Sequence, residues 1–128
     1  MGKSPGIVFL DDNEDLRELM PAILKATLDV DCLAYGSLTE FQNHPDDVLH
    51  ASVAILDINL GNDVPDGIDA YHWLRDHGFG GKVLFLTGHA RTSPQVALAE
   101  TKGAEVLEKP LHPDQLMLFI RRALSEAP

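Results

Sequence analysis

The sequence predicts an α/β domain of the doubly wound kind, a parallel sheet with helices on both faces, and three observations lead there. First, the short apolar runs Ile7-Val8-Phe9-Leu10, Val53-Ala54-Ile55-Leu56, Val83-Leu84-Phe85-Leu86 and Val106-Leu107 read as buried strands, because a parallel strand is covered on both sides and needs no polar alternation. Second, helical patterns separate these runs, which makes the strands parallel neighbours joined by right-handed crossovers. Third, the runs end on Asp11 with Asp12, on Asp57, on Thr87 and on Lys109. In open parallel sheets ligands bind beyond the carboxyl ends of the strands, so these five side chains are expected to converge at one rim.

Each element follows from local pattern. After the first strand, Asn13 or Glu14 caps a helix to about Leu28, with Leu16, Met20, Ile23, Leu24 and Thr27 on one face. Pro21 lies inside it and removes the bond to the carbonyl of Arg17; with both residues on the solvent side, a bend is expected, not a break. Cys32-Leu33-Ala34-Tyr35 is the second strand, Gly36 turns the chain, and Ser37-Leu38-Thr39-Glu40 is a capping box for a short helix ending near His44-Pro45. A turn-rich loop follows Asp57, then a helix from about Asp66 to His77 stopped by Gly78, with Ala70, Tyr71 and Leu74 on one face. Ser93-Pro94 opens a fourth helix closed by Gly103, and Pro113 opens a fifth whose buried stripe is Leu116, Ile120, Ala123 and Leu124. Five strands alternating with five helices make three layers.

Bulk properties narrow the functions. A chain of 128 residues, 45% hydrophobic, fits one domain spanning 1–128 with a core from about 6 to 125. A net charge of −10 argues against a nucleic-acid surface, which needs clustered Lys and Arg. A lone cysteine, Cys32, excludes an internal disulfide and paired-thiol chemistry and fits a reducing compartment. No stretch approaches the ~20 apolar residues of a membrane span, and the N-terminus lacks the apolar core of a secretion signal. A soluble, cytoplasmic protein is expected.

Taken together, Val8-Phe9-Leu10-Asp11-Asp12-Asn13, Ile55-Leu56-Asp57-Ile58-Asn59, Asp66-Gly67, Leu86-Thr87-Gly88 and Lys109-Pro110 resemble the receiver domains of two-component response regulators, in the family's order and spacing from Ile7 to Leu124. The resemblance implies a flavodoxin-like sheet of strand order 2-1-3-4-5, an order the residues alone do not supply. It implies a phosphoacceptor, not an enzyme acting on a separate substrate: Asp57 takes a phosphoryl group from a histidine kinase or histidine phosphotransfer protein and passes a signal to a downstream effector. It also implies Mg²⁺ held by Asp12 and Asp57, by Asp11 largely through water, and by the backbone carbonyl of Asn59. Thr87 and Lys109 would contact the phosphoryl oxygens, Gly88 would move with Thr87 in the switch, and Pro110 would follow a cis bond.

The chemistry of these residues supports the same roles. Three carboxylates at one place repel each other unless a cation joins them, and Mg²⁺ prefers such hard oxygen ligands and bridges carboxylate to phosphate. An ammonium about 4 Å from a phosphoryl group contributes on the order of 4 kcal/mol at an effective dielectric near 20, which gives Lys109 its purpose. The new aspartyl phosphate brings about −1.5 to −2 charges, enough to draw the hydroxyl of Thr87 inward and bias a two-state surface.

Two departures from the pattern stand out. Val106 occupies the position, three residues before the lysine, where receivers often carry a rotating Tyr or Phe, and the loop between Asp57 and Gly67 is about two residues longer than usual. Asn59 and His89 are expected to set the lifetime of the phosphorylated form through water access.

Blander readings compete. An acidic pair after a strand is by itself more often a solvated turn, Lys-Pro is commonplace, and the remaining histidines, with no compact ligand spacing, read as surface residues. Trp73 and Leu118 are expected to be exposed. Two other functions fit part of the pattern: a haloacid-dehalogenase-like phosphohydrolase, which wants an acid where Asn59 stands, and a receiver-like interaction module that accepts no phosphate.

Overall fold

The structure, a computed structural model, describes residues 6–57, 67–87, 105–108 and 113–126, with the backbone alone for Thr87, Glu105, Glu108, Pro113 and Glu126. In chain order the described elements are β1 (Ile7–Leu10), α1 (Glu14–Leu28), β2 (Cys32–Tyr35), α2 (Leu38–Gln42), α3 (Pro45–Leu49), β3 (Val53–Asp57), α4 (Gly67–Asp76), β4 (Lys82–Thr87), β5 (Glu105–Glu108) and α5 (Pro113–Glu126). The strands form one parallel sheet in the order β2-β1-β3-β4-β5. Both the doubly wound class and the order implied by the resemblance are therefore present.

Side-chain alternation along the strands divides the core in two. Val8 and Leu10 of β1, Ala54 and Leu56 of β3, and Val83 and Phe85 of β4 pack with Phe41 of α2, Val48 of α3 and Ala70 and Leu74 of α4. Ile7 and Phe9, Val53 and Ile55, and Leu84 and Leu86 pack on the opposite face with Met20 and Leu24 of α1 and Leu116, Phe119 and Ile120 of α5. All four residues of β1 and all five of β3 are buried, as central parallel strands require, whereas β2 lies at an edge and exposes Leu33.

Helix ends obey local chemistry. Asn13 caps α1, its side chain accepting from the Leu16 amide at 3.0 Å, and Ser37 caps α2 by accepting from Glu40. Gly78, just past α4, has φ +82, a conformation that glycine adopts without the strain a Cβ brings. The expected end of a helix near His44-Pro45 holds for α2, but Pro45 also starts α3, a short helix the pattern did not announce.

Other expectations change. Thr27 is exposed, and the apolar face of α1 runs instead through Leu16, Met20, Leu24 and Leu28. The helix runs unbroken through Pro21, yet Pro21 and Arg17 are both half-buried and not solvent-side residues. Trp73 is partly buried against the core, its ring 5.9 Å from Phe41, whereas Leu118 is 65% exposed as expected. The helix expected between Ser93 and Gly103 and the long loop after Asp57 lie outside the described residues.

Candidate functional site

Register builds the site. Leu10 pairs with Leu56, so Asp11, just past β1, and Asp57, the last residue of β3, stand side by side. Both continue the alternation of Ile7 and Phe9, and of Val53 and Ile55. Asp57 pairs in turn with Leu86, which brings the backbone of Thr87 to the same rim, and Thr87 pairs with Glu108, the residue before Lys109.

Asp11 is fully buried, Asp57 is 3% exposed, and Asp12 is open to solvent. One carboxylate oxygen from each lies within 4.8 Å of the others. Asp11 is anchored on three sides: its amide donates to the Tyr35 carbonyl at 3.1 Å, its Oδ1 accepts from the Asn13 amide at 2.9 Å, and its carbonyl accepts from Arg17 Nη1 at 3.1 Å. Three hard oxygen donors, two of them buried and one facing water, suit a divalent cation that keeps part of its water shell, as Mg²⁺ does. Within the described residues this is the group of acids that could hold a metal.

Asp11, Asp12 and Asp57 are thus together. Of the other residues singled out, the side chain of Thr87 and all of Asn59, Gly88, His89, Lys109 and Pro110 lie outside the described residues. Val106 is 6% exposed and sits in register with Phe85, in the cluster that also holds Leu56 and Ala70. It is a packed core residue. Arg17 was missed as a member of the neighbourhood. The available signal was a cation in the opening of a helix, where the macrodipole favours acids such as Glu14 and Asp15.

A fold of this order with an acid cluster at the carboxyl rim defines a class, and the comparisons agree. The family model for the response regulator receiver domain matches residues 7–121. The chain belongs to the response regulator receiver domain family. Among curated proteins it is similar to the response regulator protein TodT of Pseudomonas putida, with 25% identity over 123 residues, covering 95% of this chain and 52% of that protein. The chain therefore spans about half the length of the curated relatives it matches.

Among solved structures it is similar to a CheY-like response regulator receiver domain protein from Methanospirillum hungatei JF-1, with TM-score 0.81 and 21% identity, covering 94% of this chain and 93% of that one. A receiver domain protein from Clostridium thermocellum superposes with TM-score 0.80 at 24% identity, covering 93% of each chain. At these identities the structures speak for the fold. Among the described residues no helix is long and apolar enough to cross a membrane.

Proposed function

We propose that the chain is the phosphoacceptor module of a two-component phosphorelay, with Asp57 as the acceptor. The observation that carries this reading is the burial of Asp57 at a strand end with Asp11 and Asp12 within 4.8 Å. An oxygen of Asp57 attacks phosphorus in line, the N–P bond of a donor phosphohistidine breaks, and the imidazole nitrogen keeps the electron pair and takes a proton from solvent. Asp11 and Asp12, with Asp57 and the backbone carbonyl of Asn59, would hold Mg²⁺, which when bound supplies positive charge to the phosphoryl oxygens. Lys109 neutralises a further part of that charge, and Thr87 donates its hydroxyl to the acyl phosphate.

The donor is a histidine kinase or histidine phosphotransfer protein in the cytoplasm, and the output is a changed surface read by an effector. With Val106 packed in the core, that change proceeds through Thr87 and Gly88 without a swinging aromatic ring. Asn59 and His89 set how long the signal lasts, by governing the access of water to the acyl phosphate.

Incubation with Mg²⁺ and acetyl phosphate, followed by intact mass measurement, tests the reading. The wild-type chain should gain one phosphoryl group and Asp57→Asn none. Continuous release of phosphate from added phosphomonoesters would instead favour a phosphohydrolase, and no mass gain a receiver-like interaction module.

A further inference from the structure

Arg17 has no part in the roles above, yet it reaches the acid cluster from behind. Its Nη1 donates to the carbonyl of Asp11 at 3.1 Å, the oxygen of the peptide that joins Asp11 to Asp12. A peptide group is planar, so holding that oxygen fixes the plane from which the Cα of Asp12 departs. Asp12 is exposed, so its carboxylate is aimed chiefly by the backbone that carries it. The neighbouring constraints agree in direction: the Asp11 amide is tied to Tyr35, its carboxylate to the Asn13 amide, and the Arg17 amide to the Asn13 carbonyl at 3.0 Å.

Gly36 completes the arrangement. A Cβ built on it would stand 3.0 Å from Nη1, 3.1 Å from Cζ and 3.4 Å from Nε of Arg17, so the guanidinium lies against the bare α-carbon of the turn that follows β2. A Cβ at Gly36 makes the guanidinium give by a few tenths of an ångström, a shift along the direction that loosens its bond to the Asp11 carbonyl. A planar group that is always charged and carries a fixed fork of donors suits this slot, where a lysine would have only a mobile point charge.

We propose that Arg17, seated on Gly36, is a positioning residue that sets the Asp11 to Asp12 peptide and thereby the affinity of the acid cluster for Mg²⁺. This inference rests on the metal reading of the cluster given above. The partners that orient metal ligands are typically worth about tenfold or more in affinity, which sets the expected scale.

Calorimetric titration of the unphosphorylated protein with MgCl₂ tests it, alongside the amide resonances of Asp12 and Asn13 in the metal-free state. Arg17→Ala should weaken Mg²⁺ binding about tenfold and move both resonances, and Arg17→Lys should recover only part of the loss. Gly36→Ala, which keeps the charge but displaces it, should weaken binding in the wild-type background and add nothing in Arg17→Ala. Wild-type affinity and unmoved resonances in folded Arg17→Ala overturn the proposal, as does wild-type affinity in Gly36→Ala. A wild-type chain that binds no Mg²⁺ overturns the metal reading and this inference with it, so the two failures are told apart by the first titration.

Discussion

Cys32 shows how one residue's surroundings decide its chemistry. It lies half-buried in the edge strand β2 among the apolar side chains below α1, and burial pushes its thiol up to about 12. The thiolate is the reactive form, so the native protein should resist alkylation by iodoacetamide at pH 8 and react fully once unfolded, as counted by mass. The linkage has a definite sign. The unfolded thiol ionises near its ordinary value of about 8.5 while the folded one keeps its proton, so this contribution to stability is intact below that pH and is lost as pH rises toward 12. Denaturant melts between pH 8 and 11 should show a shallower loss for Cys32→Ala than for wild type. That Cys32 behaves as a small hydrophobe was readable from its being alone in the chain. For Arg17 the sequence offers only a cation among the acids of a helix opening, and the carbonyl it meets leaves no mark in side-chain pattern.

At the scale of elements, α2 and α3 are too short to be stable by themselves and must be held by what they pack on. Phe41 is the link. It is fully buried, meets Tyr35 of β2 edge-on at 5.6 Å and Trp73 of α4 at 5.9 Å, and so ties the first helices of this face to a third. Phe41→Ala should cost about 3 to 5 kcal/mol in urea unfolding, with phosphorylation of the surviving folded protein little changed. A smaller loss, near the ~1 kcal/mol of an ordinary surface change, would sink the idea that this aromatic trio anchors the face. Capping signals placed α1, α2 and the end of α4 closely. They do not separate the two roles of Pro45, which follows α2 and also opens α3, and helical periodicity does not report the burial of Trp73, which depends on a ring from another element.

For the molecule as a whole, acids clustered at one rim repel one another, and a cation bound there as proposed would relieve that repulsion and link function to stability. Mg²⁺ at about 100 times its dissociation constant should stabilise the fold by about 2.7 kcal/mol, a rise in Tm of roughly 8 to 10 °C for a domain of this size. Asp12→Asn, which alters an exposed member of the acid cluster and no core residue, should keep the fold and lose most of that rise in a thermal melt. An equal rise in the variant would show that Mg²⁺ acts elsewhere on this acidic surface. The net charge of −10 makes that control necessary.

Parallel strands buried on both faces must be apolar throughout, so the sequence alone marked β1, β3 and β4 and, at the ends of the first two, the acids of the cluster. The strand order came with the family likeness, since crossover helices of similar length can lead to either side of a sheet. Tertiary structure decided which residues outside the motifs serve the site. Arg17 and Gly36 belong to different elements, and only the pairing of β1 with β2 brings them together behind Asp11. Periodicity records whether a side chain faces the core; it carries no information about which distant backbone atom that side chain meets.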